Sequence, residues 1–333
     1  MNENDNTIEF LAIGDTVVDA FIKLQKADIV GAPDSPEYKI CLPFADKVPY
    51  EEVYVVNGVG NAANAAVSAA RLGIKSALVS NVGDDKEGQD CLSALKMDGV
   101  NTNFVKINPG IKTNYHYVLW YGADRTILIK HEVYPYSLPE TNEPKWIYFS
   151  SVNETAFPFH YTIADYLDAH PNTKLAFQPG KFEIKLGKDK LDRLYKHSEI
   201  FFCNVEEARK ILNNIAGEIK ELLDGIRTLG PKIAVITDGP AGAYASDGTE
   251  YLSMPTYPDP KEPYDRTGAG DAFASTVVAA IIKGKTLAEA LAWAGINSMS
   301  VTQDVGAQKG LLHEDKLSEY LKNAPAEYKI KTI

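Results

Sequence analysis

Cysteine is scarce in this chain: there are 3 cysteines among 333 residues, and no two of them form a Cys-x-x-Cys pair. Cys41, Cys91 and Cys203 lie far apart in sequence, and their number is odd. A secreted disulfide scaffold is therefore not expected, and a reducing compartment is favoured. The first residues, 1–6, are acidic and polar, which is the reverse of a signal peptide, so we expect a cytoplasmic protein.

Positive charge and long apolar runs are in short supply as well. The 34 Lys and Arg residues are outnumbered by 45 Asp and Glu residues, which gives a formal net charge of −11. Because non-specific nucleic-acid binding needs a basic surface to displace counterions, we expect neither nucleic acid nor an anionic membrane as a partner. Apolar stretches such as 276–282 are far too short to span a bilayer.

The rest of the composition, with 45% hydrophobic and 24% charged residues, is that of an ordinary globular protein. Strand-like runs alternate with helical stretches, which predicts an α/β body with a parallel sheet covered by helices on both faces. Two long helices, 269–282 and 286–301, have no strand between them and are expected to pack together. The predicted strands are 8–13, 76–82, 146–149, 174–177, 200–203 and 233–237, and the other predicted helices are 61–72, 87–97, 159–169, 189–196, 205–212 and 217–229.

Two early segments break this alternation. Short alternating pieces at 20–24 and 52–56 predict a small antiparallel sheet apart from the main body. A hairpin at 113–120 and 126–131 is predicted to join it. We take 1–333 as one domain, with lid segments at approximately 16–56 and 112–131 inserted in the body. The loop inside the first lid segment holds four prolines: Pro33, Pro36, Pro43 and Pro49.

The strongest chemical signal lies at Gly268-Ala269-Gly270, where a loop becomes a helix. Such a turn directs backbone N–H groups outward at the positive end of the helix dipole, which makes an anion hole for phosphate. Asp271 follows in the first helical turn, where its carboxylate can take a proton from an incoming hydroxyl. Taken alone, the same residues also fit a closely packed helix start with an acidic first turn.

This segment resembles the Asp-x-Thr-Gly-Ala-Gly-Asp-x-Phe signature of the PfkB family, the ribokinase-like carbohydrate kinases. Arg266, where Thr is usual, is the one departure. The resemblance implies a ribokinase-like fold with a small β-sheet lid, and ATP-dependent phosphorylation of a hydroxymethyl group. It also implies that Asp271 is the catalytic base beside the anion hole. The matching residues are Asp265, Thr267, Gly268, Ala269, Gly270, Asp271 and Phe273.

The resemblance extends to a predicted acceptor pocket. Asp19 closes the segment 14–19 and matches the family's aspartate that grips sugar hydroxyls. In the segment 57–66, Gly60 and Asn64 match the family pattern, whereas the glycine partner of Gly60 is replaced by Val59 or Asn61, depending on the alignment. We expect Asp19, Gly60, Asn61 and Asn64 to bind the substrate.

The resemblance also implies sites for ATP, Mg²⁺ and K⁺. Asn204 and Glu207 match an Asn-x-x-Glu motif beside the Mg²⁺–phosphate region, although Asn204 also suits a helix N-cap. The segment 237–243 resembles the nucleotide-binding turn, with Thr237, Gly239 and Gly242 at its matching positions. A monovalent cation would be held by four positions: Asp265, Thr267, Val301 and Gly306.

The resemblance implies a sugar or sugar-like acceptor, and a nucleoside is the alternative within the same family. The segment 150–153 stands where ribokinases place an acidic residue, which weakens the case for ribose. Arg125 either reaches an anionic substrate group or is simply solvated. A non-catalytic sugar sensor on this fold is a further alternative, and a dehydrogenase is a rival whose glycine fingerprint is missing after the first strand.

The lid is also expected to form a homodimer interface. A small sheet without a second covering layer has an exposed apolar face, and in this family such lids often pair across a two-fold axis. The aromatic pair Tyr115 and Tyr117 either stacks on substrate or packs in the lid. The apolar lid positions are more than one sugar can cover: Val53, Val55, Tyr115, Tyr117 and Leu119.

Overall fold

A computed structural model of the protein describes residues 7–32, 37–122 and 124–333. The acidic start at 1–6, Pro33, Pro36 and the hairpin residue Ala123 lie outside the described residues. The strands are β1 (Phe10–Ile13), β2 (Val17–Leu24), β3 (Asp28–Val30), β4 (Lys39–Cys41), β5 (Tyr50–Val59), β6 (Ser76–Gly83), β7 (Val105–Asn108), β8 (Asn114–Tyr121), β9 (Asp124–Leu128), β10 (Trp146–Phe149), β11 (Lys174–Phe177), β12 (Ser198–Asn204), β13 (Ile233–Thr237), β14 (Ala243–Ser246), β15 (Tyr251–Met254) and β16 (Lys331–Thr332).

Helices cover most of the remaining body. They are α1 (Asn61–Arg71), α2 (Lys86–Met97), α3 (Phe157–Ala169), α4 (Lys181–Leu186), α5 (Asp192–His197), α6 (Val205–Leu212), α7 (Ile219–Thr228), α8 (Ala269–Ile282), α9 (Leu287–Val301) and α10 (Glu314–Lys322). Short 3₁₀ turns lie at Glu154–Ala156 and Gly239–Ala241. None of the helices in the described part of the chain combines the length and the apolar character that crossing a bilayer needs.

The central sheet has ten strands in the order β16-β15-β14-β13-β12-β11-β10-β1-β6-β7. All neighbours from β13 to β7 are parallel, and β14, β15 and β16 add an antiparallel edge. In the sheet, β6 lies on one side of β1 and β10 lies on the other, so the order of the strands reverses direction at β1. In open α/β sheets, ligands bind outside the carboxyl ends of the strands at such a switch point.

Two apolar cores lie on opposite faces of this sheet. Along β1, Phe10 and Ala12 belong to one core and Leu11 and Ile13 to the other, because successive strand residues point to opposite faces. One core packs against α1, α8 and α9, and the other against α3, α5, α6 and α7. Burial on both faces explains why these strands are continuous apolar runs. The predicted mainly parallel sheet with helices on both faces is confirmed.

The lid is a separate four-stranded sheet with the order β5-β2-β8-β9. The prediction of an antiparallel sheet is wrong at its centre, where β2 pairs with β8 in parallel. The reason lies in the body: β2 continues from β1 and β8 from β7, and these two body strands point the same way, so both chains enter the lid in one direction. The hairpins β2–β5 and β8–β9 are antiparallel, as predicted.

Alternation gives the lid two distinct faces. In register across three strands, Asp19 lies beside His116 and Val56, whereas Ala20 lies beside Tyr117 and Val55. Val118 and Trp120, on the same face of β8 as His116, are buried, whereas Tyr117 is exposed. One face therefore meets the body at the carboxyl ends of its strands, and the opposite face is turned outward.

Candidate active site

The residues of the predicted anion hole lie where α8 begins. Gly268 is the N-cap residue of this helix and has φ of 80°, and an added Cβ would overlap Ala307. Only glycine adopts this left-handed conformation at no cost and fits against the neighbouring loop. The N–H groups of Gly270 and Asp271 have no hydrogen-bond partner among the described residues. These two groups therefore stay available to an anion at the positive end of the helix.

Asp271 is buried, with 6% of its surface exposed, and three amide groups surround its carboxylate. Asn61 Nδ2 donates to Oδ1 at 2.8 Å, Asn64 Nδ2 donates to Oδ2 at 2.8 Å, and Gln178 Nε2 donates to Oδ1 at 3.3 Å. Burial raises the pKa of Asp271 above its ordinary value, and these hydrogen bonds offset part of the rise because they stabilise the charged form. The result is a stronger base than an exposed aspartate.

A second layer of hydrogen bonds orients these amides. Gln308 Nε2 donates to Asn64 Oδ1 at 3.1 Å and to the carbonyl of Gly58 at 2.8 Å, so the Nδ2 group of Asn64 is turned towards Asp271. The hydroxyl of Tyr148 donates to Gln178 Oε1, which leaves Nε2 of Gln178 for the carboxylate. A buried charge is tolerated when its partners are fixed in this way.

The predicted acceptor residues divide into two groups. Asn61 and Asn64 meet Asp271, and Gly60, with φ of 117°, brings the start of α1 against the carbonyl of Asp15. Asp19 instead lies on the lid, where its Oδ1 is 3.2 Å from Nδ1 of His116. The body therefore supplies the groups around the proposed base, and the lid supplies Asp19.

The predicted nucleotide turn shares a cavity of about 350 Å³ with the anion hole. Thr237, Gly239 and Gly242 line it together with Ala269 and Gly270. The predicted nucleotide turn and the first turn of α8 therefore border the same cavity.

Asn204 and Glu207 form a capping box at the start of α6. Asn204 Oδ1 accepts from the Glu207 N–H at 2.8 Å, and Glu207 Oε2 accepts from the Asn204 N–H at 2.9 Å. The cap uses the one side-chain oxygen of Asn204, whereas Oε1 of Glu207 takes no part in it. Burial raises the pKa of Glu207. The structural role that the sequence allowed for Asn204 is thus present.

The predicted cation positions surround Asp265. Its Oδ1 accepts from the N–H and hydroxyl of Thr267 at 2.9 and 2.6 Å, and its Oδ2 accepts from the Gly306 N–H at 2.9 Å. The carbonyl of Val301 accepts from the Asp304 N–H at 3.3 Å. Arg125 Nη1, from β9 of the lid, lies 3.4 Å from Asp265 Oδ1. Arg125 is thus paired with the body rather than simply solvated.

Sequence reasoning missed Gln178, Tyr148, His116 and His131. Gln178 directly follows β11, and the rule that ligands bind at the carboxyl ends of parallel strands would have identified it. His116 lies between Tyr115 and Tyr117 in β8, so its side chain is on the opposite face of the strand from these two aromatic residues. The sequence pattern of the strand is dominated by the aromatic pair and gives no separate signal for His116. The contact of His131 with Asp15, at 3.1 Å, joins residues 116 positions apart and has no local sequence signal.

Comparison with known proteins assigns the class. The family described as pfkB family carbohydrate kinase matches residues 29–314, so the chain belongs to this family, and it is an ATP-dependent phosphotransferase. It is 28% identical to the ribokinase of Bacillus subtilis over 79% of this chain and 87% of the relative. It is 30% identical to the cytidine kinase of Thermococcus kodakarensis over 69% of this chain and 82% of the relative.

A solved structure shows the same fold. The structure of a putative ribokinase II of E. coli in complex with ATP and Mg²⁺ superposes with a TM-score of 0.73 at 19% identity, covering 95% of this chain and 99% of that one. At this level of identity the likeness establishes the ribokinase fold: a large, mostly parallel sheet with helices, and a separate small sheet.

The two glycines of the helix start are expected to respond differently to valine. A Cβ on Gly270 would meet only Gln178 Nε2, at 3.9 Å, so Gly270→Val should fold but fill the space that a phosphate needs, and ATP turnover should collapse. Gly268→Val should instead lower the melting temperature, because its side chain overlaps Ala307. Thermal melts and initial rates check both; normal turnover by Gly270→Val would place the phosphate elsewhere.

Proposed function

We propose that this kinase transfers the γ-phosphoryl group of ATP to a hydroxymethyl group of a sugar or nucleoside, with Asp271 as the base. The observation that carries the proposal is the buried Asp271 carboxylate, which accepts hydrogen bonds from three side-chain amides. It lies in the same first turn of α8 as the N–H groups that have no partner in the described part of the chain. A sensor without catalytic activity would have no use for a desolvated base beside an anion hole. The proposal therefore favours the enzyme over the sensor.

The chemical step needs little beyond positioning and charge stabilisation. The acceptor oxygen forms the new bond to γ-phosphorus while the bond from γ-phosphorus to the β–γ bridging oxygen breaks. The hydroxyl proton passes to Asp271, and ADP leaves with the bonding electrons. The N–H groups of Gly270 and Asp271 would hold the charge that spreads over the transferring group, and the lid would exclude water.

Mg²⁺ would neutralise charge on the phosphates. Of the two residues that the family resemblance assigns to this region, Glu207 offers one oxygen outside its helix cap, and Asn204 offers none. This donor set suits a hydrated Mg²⁺, which keeps several of its own waters and takes few protein ligands. No group of three or more His, Cys, Asp or Glu side chains able to hold a metal occurs in the described part of the chain.

The residues around Asp265 do not fit a bound K⁺, whereas Asn204 and Glu207 fit a hydrated Mg²⁺. Both carboxylate oxygens already accept hydrogen bonds, and the guanidinium of Arg125 supplies a positive charge 3.4 Å from Oδ1. A second cation at this carboxylate would be repelled by Arg125. We therefore assign no step to potassium, and we infer that Thr267, Val301 and Gly306 hold the loop next to the anion hole.

Two further expectations stay predictions. The first is a single domain over 1–333 with lid segments at 16–56 and 112–131; its support is that the described lid strands lie within 17–59 and 114–128. The second is a cytoplasmic location in a reducing compartment. It is supported by the state of Cys41, Cys91 and Cys203, which are all free.

A coupled ADP-release assay tests the proposed reaction directly. With ribose, fructose, adenosine and cytidine as acceptors, we expect acceptor-dependent ADP release with at least one compound. Asp271→Asn keeps the shape of the side chain but removes the proton acceptor, so kcat should fall on the order of 10²- to 10⁴-fold. The control is Asp90→Asn, which removes an exposed carboxylate paired with Lys86 on α2. Turnover by Asp271→Asn within a few-fold of wild type would remove Asp271 from this role.

We also propose that the outer face of the lid pairs with a second copy of the chain. Val55 and Tyr117 are about half exposed, at 53% and 49%, and they are register neighbours of Ala20 on this face. Light scattering at micromolar concentration should give twice the chain mass of 36.5 kDa. Val55→Glu combined with Tyr117→Glu should restore the monomer mass without loss of fold. A wild-type mass near 36.5 kDa across the working range rules out the dimer.

A further inference from the structure

Two aspartate–histidine pairs lie side by side where the lid meets the body. Oδ1 of Asp19 is 3.2 Å from Nδ1 of His116, and Oδ2 of Asp15 is 3.1 Å from Nδ1 of His131. The two imidazole rings stack with centroids 5.0 Å apart and an interplanar angle of 17°. Asp19 and His116 are register neighbours on adjacent lid strands, whereas Asp15 follows β1 of the body.

The pair on the body side is complete. Asp15 accepts from His131 through Oδ2 and from the hydroxyl of Tyr136 through Oδ1, at 2.6 Å. The chain beside His131 is anchored by the Glu132 N–H, which donates to Asn114 Oδ1 at 2.8 Å. The ring of His131 is therefore fixed in position, and the ring of His116 stacks on it.

The pair on the lid side is incomplete. Asp19 Oδ1 and His116 Nε2 are both buried and lack a hydrogen-bond partner among the described residues. The 3.2 Å approach of Asp19 to His116 lacks hydrogen-bond geometry, and each side chain is only 12% exposed. Buried polar atoms without partners cost free energy, and native proteins keep few of them. Two such atoms on touching side chains indicate a ligand that satisfies both.

The chemistry of the two atoms defines that ligand. A carboxylate oxygen only accepts hydrogen bonds, whereas an imidazole Nε2 accepts or donates according to its protonation. A hydroxyl group donates and accepts, so two adjacent hydroxyls satisfy Asp19 and His116 in either state of the ring. A carboxylate or phosphate on the ligand would instead face the like charges of Asp15 and Asp19. The pocket therefore suits an uncharged vicinal diol.

We propose that His116 is a specificity-determining residue that, with Asp19, binds a vicinal diol of the acceptor, as found in ribose or in the ribosyl part of a nucleoside. This inference rests on the proposed function, because it takes the acceptor pocket to be the space between Asp19 and Asp271. His131 and Asp15 are positioning residues that fix the plane of the His116 ring. The lid thus selects the acceptor as well as covering it.

The test compares each hydroxylated acceptor with its deoxy analogue: ribose with 2-deoxyribose, and cytidine with 2′-deoxycytidine. A site built to hydrogen-bond a hydroxyl rejects the analogue that lacks it, so the wild-type kcat/KM should differ by about 10²-fold or more within the preferred pair. His116→Phe keeps the ring that stacks on His131 but removes both nitrogens. We expect it to narrow this difference to less than about tenfold, with the KM for ATP unchanged.

Controls separate a specific effect from a folding effect. His197→Phe changes a histidine that pairs with Asp168 at the surface and should retain the wild-type discrimination. His116→Ala is a second variant, and melting temperatures show whether either variant is folded. Calorimetric titration of the same four compounds without ATP gives a readout that does not depend on turnover.

The outcomes distinguish the two proposals. If folded His116→Phe and His116→Ala keep the wild-type discrimination, the role of His116 is overturned while the kinase reaction stands. If the wild-type protein binds the hydroxylated compound selectively and loses this selectivity in His116→Phe, but transfers no phosphoryl group, the reaction is wrong and the diol site stands. If the wild-type protein neither binds nor phosphorylates any of the four compounds, the diol site is wrong, and the kinase reaction is wrong as well if fructose and adenosine also give no ADP release.

Discussion

The arrangement of the site depends on surrounding one carboxylate, that of Asp271, with hydrogen-bond donors in a place from which water is almost excluded. Desolvation raises the pKa of Asp271 because it disfavours the charged form. Hydrogen bonds from Asn61, Asn64 and Gln178 offset part of this rise because they stabilise the charged form. The donors come from two separate parts of the fold: α1 carries the two asparagines, and Gln178 follows β11. The surroundings of this carboxylate cannot be built from a local motif, because they are assembled from positions up to 210 residues apart.

The topology of the sheet brings these groups together. Because β1 lies between β6 and β10, the loops after β1, β10 and β11 meet at one edge, and α8 enters the same edge with its N-terminus. The lid then closes the site from the other side. Trp120 packs against Tyr264 with ring centroids 4.9 Å apart, and Arg125 pairs with the neighbouring Asp265. The loop that precedes the anion hole is thus in contact with the lid, so lid position and anion hole are physically linked.

Much of this arrangement was predictable, and the reason differs for each part. The strands 146–149, 174–177 and 233–237 and the helices 205–212 and 269–282 have the predicted bounds, because a strand buried on both faces and a helix between clear stop signals are local patterns. The parallel pairing of β2 with β8 depends on the direction of strands elsewhere in the sequence. Gln178 and Gln308 are isolated polar residues in the sequence. Their roles follow only from their contacts in the fold, which are with the carboxylate of Asp271 and the amide of Asn64. The antiparallel edge strands β14 and β15 are short and were missed for lack of a distinctive run.

The pH dependence of kcat/KM tests most directly whether a charged Asp271, held by amides, is the base. Activity requires the ionised form, so the rate should fall as the pH is lowered through the raised pKa of Asp271. Asn64→Leu removes a hydrogen bond that lowers this pKa, and the acid limb should therefore move to higher pH in the variant. A rate that stays flat down to about pH 4, the ordinary range of an aspartate, would contradict the account. So would an acid limb that Asn64→Leu leaves in place.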